Sequence, residues 1–111
     1  MSSDKFLKSS LERLKMGAEE YGDKSFFKPD AELLKEVSEE LFDVATWCSI
    51  WACRYSSSSS VNKSLTKIAK GAQSLHENLQ TSWKEKNEEK DYDDVPGVDT
   101  ATAWLQKCLK R

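Results

Sequence analysis

Apolar residues recur along this chain at spacings of three and four. Leu7, Leu11, Leu14, Ala18 and Tyr21 mark one such row, which is one face of an α-helix. Asp4, or a serine before it, suits the cap, and Gly22 stands where a helix C-terminal glycine belongs. The stretch "DKSFFKP" reads as a loop. Pro29 resists continuation of a helix, and Asp30 can cap the next one. A second helix is predicted from about residue 31 to 54 or 55. Its first half is amphipathic. Its second half, "VATWCSIWACRY", is apolar on nearly every side, and such a helix is expected to be buried all round. That places it at the centre of a bundle or at a subunit interface.

Five serines at 56 to 60 make a helix–helix connection. A third helix covers roughly 61 to 83, with Val61, Leu65, Ile68, Ala72, Leu75 and Leu79 as its stripe. "KEKNEEKDYDDVPG" is charged and turn-prone, and reads as a mobile loop. A short last helix starts at Asp99 or Thr100 and is expected to dock Trp104, Leu105 and Cys108. No segment alternates with the period of a strand. The expected fold is all-α. It is one domain over residues 1–111, with three main helices and a short C-terminal one, completed by dimerisation.

Composition sharpens this picture. Hydrophobic residues are 38% and charged residues 32% of 111, a polar balance that favours burial against a second copy of the chain. The net charge of −2 lacks the basic excess of a nucleic-acid binder. Cys48, Cys53 and Cys108 show no CxxC spacing, so they read as reduced packing thiols in a cytoplasmic protein. The opening "MSSDKFLKSS" has no apolar core and predicts no secretory signal. The apolar run from Val44 to Cys53 is short of the ~20 residues a membrane span needs.

The candidate chemistry lies in "EVSEELFDVATW", residues 36 to 47. Glu36, Glu40 and Asp43 fall at i, i+4 and i+7, nearly on one line of a helix, with Glu39 beside them and Trp47 continuing the line. Like charges at this spacing repel, and Lys35 is the only basic residue between Ala31 and Ile50. A hard divalent cation, which takes oxygen ligands, would offset the repulsion. The plainer alternative is a solvated acidic face near a helix N-terminus, where the macrodipole favours acids. Asp43 is the hardest to explain that way, being a poor helix former deep in the helix beside Val44 and Trp47.

Here "EELFDVATW" resembles the E-E-L-x-D-V helix of the MazG-like all-α nucleoside triphosphate pyrophosphohydrolases. "KMGAEEYGDKSF" is similar to the lead-in of phage-type and integron-type members. The resemblance spans residues 11 to 55. It implies helical subunits that pair into four-helix assemblies, as a homodimer or homotetramer. It also implies Mg²⁺ (or Mn²⁺) held by acids of an E-x-x-E and a later E-x-x-D. The implied reaction is hydrolysis of a nucleoside triphosphate to the monophosphate and pyrophosphate, a house-cleaning of the nucleotide pool. Glu40 to Asp43 matches the E-x-x-D. Glu36 to Glu39 has the spacing of the E-x-x-E but sits on the same helix. Helix one offers Glu19, Glu20 and Asp23, of which Glu20 lies best off the core stripe. The implied metal ligands are therefore Glu20, Glu36, Glu39, Glu40 and Asp43, with Glu36 or Glu39 as general base.

Lys63, Lys67 and Lys70 on helix three are either a solvated basic face or contacts for a triphosphate. Trp47 and Trp51 are either packing residues or a platform for a base. His76, the single histidine, has no catalytic partner, and "AKGAQS" lacks the phosphate-loop frame. The competing reading is a non-enzymatic helical module that dimerises or docks on another protein through "VATWCSIWACRY".

Overall fold

The computed structural model describes residues 2–86 and 97–109. Four α-helices and one short 3-10 turn account for them: α1 Ser2–Tyr21, the turn Lys24–Phe27, α2 Asp30–Ala52, α3 Ser60–Lys86 and α4 Val98–Leu109. The all-α expectation holds, with no strand among the described residues. The charged stretch expected as a loop falls, from 87 to 96, outside the described residues, and α3 continues further into it than expected, to Lys86.

The chain divides into two compact units. In the first, α1 packs against α4, with the 3-10 turn following α1. Gly22 ends α1 with φ of 65°, and its N–H donates to the Ala18 carbonyl at 2.8 Å. This left-handed position is one that glycine takes without strain. Leu7, Leu11, Leu14 and Ala18 lie half-buried on α1; Tyr21, at the end of that row, is exposed. On α4 the half-buried row is Val98, Ala101, Thr102, Leu105 and Leu109. Leu105 docks as expected, whereas Trp104 and Cys108 are exposed, because they sit off that row.

The second unit is a hairpin of α2 and α3. Its seam runs through Leu34, Ser38, Leu41, Ala45, Cys48 and Ala52 on α2. On α3 it runs through Leu65, Ala69, Ala72, His76, Leu79 and Trp83. All of these are buried or half-buried. Spacings of four and three alternate along both helices, the pattern of a two-helix seam. Many of the seam residues are small. The larger apolar residues of the expected α3 stripe, Ile68 and Leu75, stand beside the seam and are 49% and 59% exposed.

Serines and an asparagine fix the turn between these helices. Ser59 caps α3, its Oγ accepting the Asn62 backbone N–H at 3.1 Å and its carbonyl accepting that of Lys63. The Asn62 side-chain amide reaches back to the Ala52 carbonyl at 3.1 Å and the Tyr55 carbonyl at 3.5 Å. Those carbonyls end α2, where intrahelical partners run out. Along α2, Thr46 donates to the Phe42 carbonyl and Ser49 to the Thr46 carbonyl, so these two hydroxyls are satisfied locally.

The apolar second half of α2 is not buried all round. Cys48 is buried, but Val44, Trp47, Ile50 and Trp51 are exposed. Of the three cysteines only Cys48 packs; Cys53 and Cys108 are exposed thiols. No helix among the described residues is long and apolar enough to cross a membrane.

Two substitutions test this seam. Asn62→Ala removes two hydrogen bonds at the end of α2, although the Ala52 carbonyl keeps the Tyr55 N–H, and is expected to cost about 1 kcal/mol in urea unfolding. Ser38, 7% exposed, has no hydrogen-bond partner for its hydroxyl. Ser38→Ala is therefore expected to raise stability by up to about 1 kcal/mol; a loss in the same urea titration would mean the hydroxyl is satisfied.

Candidate functional site

The seam fixes where the acids of α2 point. A helix turns about 100° per residue, so with Leu34, Leu41, Cys48 and Ala52 against α3, the line Glu36, Glu40 and Asp43 lies on the side turned away from α3. All three, and Glu39, are exposed. Asp43 is thus a surface residue after all; it lies next to apolar side chains rather than beneath them.

What the fold brings together is narrower than the row of acids. Glu40 and Asp43, one helical turn apart, border one open hollow of about 430 Å³. Its walls are Val44, Trp47, Cys48 and Trp51 of α2 with Leu65 and Ile68 of α3. Glu36 and Glu39 do not border it. Trp47 is 68% exposed and Trp51 about half, so indole faces stand open beside two carboxylates.

Glu20 belongs to the other unit, on α1. Its carboxylate accepts a hydrogen bond from the neighbouring Tyr21 hydroxyl. That bond, and then the negative charge of Glu20, hold the Tyr21 phenol above its usual pKa, and Lys28 pulls weakly the other way.

Two carboxylates at i and i+3 match the hard oxygen chemistry of Mg²⁺. The described residues of one chain take this only part of the way: no three His, Cys, Asp or Glu side chains gather where they could hold a metal ion. On α3, Lys63 and Lys67 are exposed, whereas Lys70 borders a different hollow with Phe42, Gln73 and His76. His76 is half-buried, its ring centroid 4.9 Å from that of Phe42, and its Nε2 lies 3.4 Å from the Gln80 amide nitrogen. It is a packing residue of the seam, which its place in the four-and-three spacing with Leu65, Ala69 and Ala72 could have revealed.

Comparison with known proteins adds no relative: no family model, no curated protein and no solved structure matches the chain.

The Glu20–Tyr21 contact supplies a reporter. Glu20→Gln is expected to bring the Tyr21 phenol down towards its usual value, read by NMR titration of the ring. A divalent cation on Glu20 would do the same by neutralising the carboxylate. In the folded chain the Tyr21 pKa is raised, so the contact's contribution to stability is present below the unfolded phenol's pKa of about 10 and is lost as pH rises through the folded value. The effect is small because the pair is open to solvent.

Proposed function

We propose that the chain is a Mg²⁺-dependent nucleoside triphosphate pyrophosphohydrolase that acts as an oligomer on the cytoplasmic nucleotide pool. One observation carries the reading: Glu40 and Asp43 border a hollow walled by Trp47 and Trp51. Carboxylates suited to a hard cation thus adjoin flat aromatic faces suited to a nucleotide base. The resemblance of "EELFDVATW" to the pyrophosphohydrolase helix points the same way.

In this reading Glu40 and Asp43 would hold the metal. A bound Mg²⁺ would neutralise phosphate oxygens and lower the pKa of water there. Water attacks the α-phosphorus, the bond from that phosphorus to the bridging oxygen breaks, and pyrophosphate leaves. Glu36 or Glu39, outside the hollow, takes the proton of the attacking water. Trp47 offers its open face to the base.

A second reading is favoured by the exposure of Trp47, Ile50 and Trp51. A contiguous apolar surface of this kind marks a protein-interaction face, and a helical interaction module needs no divalent ion. Melting separates the two. A ligand that binds only the folded state raises its stability, so the hydrolase reading expects Mg²⁺ or Mn²⁺ to raise the Tm and EDTA to reverse the rise. The module reading expects no shift.

Asp43→Ala is expected to lower Mg²⁺-dependent pyrophosphate release from a panel of nucleoside triphosphates by at least about a hundredfold, with the helical circular dichroism unchanged. Wild-type release in that variant, or none from any triphosphate with the unaltered chain, would sink the assignment.

A further inference from the structure

The hollow that Lys70 borders, of about 360 Å³, reverses the chemistry of the one beside Asp43. Its apolar lining is Leu41 and Ala45 of α2 with Ala69 and Ala72 of α3, and Phe42 stands at its α2 edge, 53% exposed. Its polar groups all come from α3. They are Lys70, Gln73 and His76, three residues apart and so on successive turns. No carboxylate borders this hollow among the described residues; Glu39, one turn before Phe42, and Glu77, next to His76, both lie outside it. Around α2, Phe42 falls roughly 140° from Trp47, and around α3, Lys70 falls roughly 160° from Ile68. The two hollows therefore open on opposite sides of the seam.

The donors at this rim are uncommitted. Among the described residues neither the Lys70 ammonium nor the Gln73 amide has a hydrogen-bond or ion-pair partner. The His76 ring is half used, its Nε2 lying 3.4 Å from the Gln80 amide nitrogen. An amide nitrogen only donates, so Nε2 accepts and the proton of the neutral ring sits on Nδ1. A cation, an amide and an imidazole N–H thus stand along one rim above an apolar floor. Small-molecule sites have this make-up, a mostly apolar cavity with a few converging polar groups. One full positive charge matches a monoanion. The two oxygens of a carboxylate accept from several donors at once. An inorganic anion would leave the floor uncovered, whereas a hydrocarbon body fills it and gains the burial.

We propose that this hollow binds a small organic monocarboxylate. Its carboxylate lies at Lys70, Gln73 and His76, and its apolar body lies against Phe42, Leu41 and the alanines. Such a ligand bridges α2 and α3, so it stabilises the hairpin. This inference stands apart from the hydrolase reading, which uses the other side of the hairpin and needs a metal ion.

The test is titration of the full chain with hydrocinnamate in EDTA, followed by NMR of the backbone amides and by melting. Saturable shifts are expected around Phe42, Ala45, Ala69 and Ala72, with a rise in Tm. The expected Kd is about 1 mM or tighter, the ordinary level for a ligand of about eleven non-hydrogen atoms. Hydrocinnamyl alcohol, with the same body and no charge, and acetate, with the charge and no body, are each expected to bind at least tenfold more weakly. Lys70→Glu and Gln73→Glu, both at exposed positions, are each expected to weaken hydrocinnamate at least tenfold with the helical dichroism unchanged. Asp43→Ala, on the other side, is expected to leave the Kd within about twofold, so loss of pyrophosphate release and loss of this site are read separately. The absence of saturable shifts up to about 20 mM overturns the proposal. So do shifts centred on Trp47, an alcohol that binds as tightly as the acid, or wild-type affinity in Lys70→Glu.

Discussion

The smallness of the α2–α3 seam decides the rest of this structure. Ser38, Ala45, Cys48 and Ala52 on one helix meet Leu65, Ala69 and Ala72 on the other. Small side chains let two helix axes approach closely, but they remove little apolar surface from water, and stabilisation scales with that surface at about 25 cal/mol per Å². Trp47, Trp51, Ile68 and Leu75 stand on the flanks, exposed. An interior built this way has its larger apolar reserve outside it, on the side that carries Val44, Trp51 and Ile68.

The helices themselves were readable because their signals are local. The four-and-three spacing, the glycine after Tyr21 and the proline before Asp30 each act within a turn or two of chain, so element type and order followed. The face each helix presents was less readable. The expected α3 stripe included Leu65, Ala72 and Leu79, which do lie in the seam, but also Ile68 and Leu75, which are exposed, where the seam instead takes Ala69 and His76 one position on. A row of alanines gives a weak hydrophobic signal even where it marks the closest contact between helices. The same confusion made "VATWCSIWACRY" look destined for burial on all sides. Its composition is apolar enough, but a hairpin provides only one neighbour, and only Cys48 and the alanines face it.

The site was legible as a line and not as a cluster. Helical geometry alone placed Glu36, Glu40 and Asp43 on one edge, and the fold kept that edge clear of α3. Which of these acids share a hollow depends mainly on their level along α2, beside Trp47 and opposite Leu65 and Ile68. That selects Glu40 and Asp43 and leaves Glu36 and Glu39 outside. Glu20 was named for lying off the α1 stripe, but it belongs to the other unit. The interaction evident there is its hold on the Tyr21 hydroxyl, which no spacing rule would show.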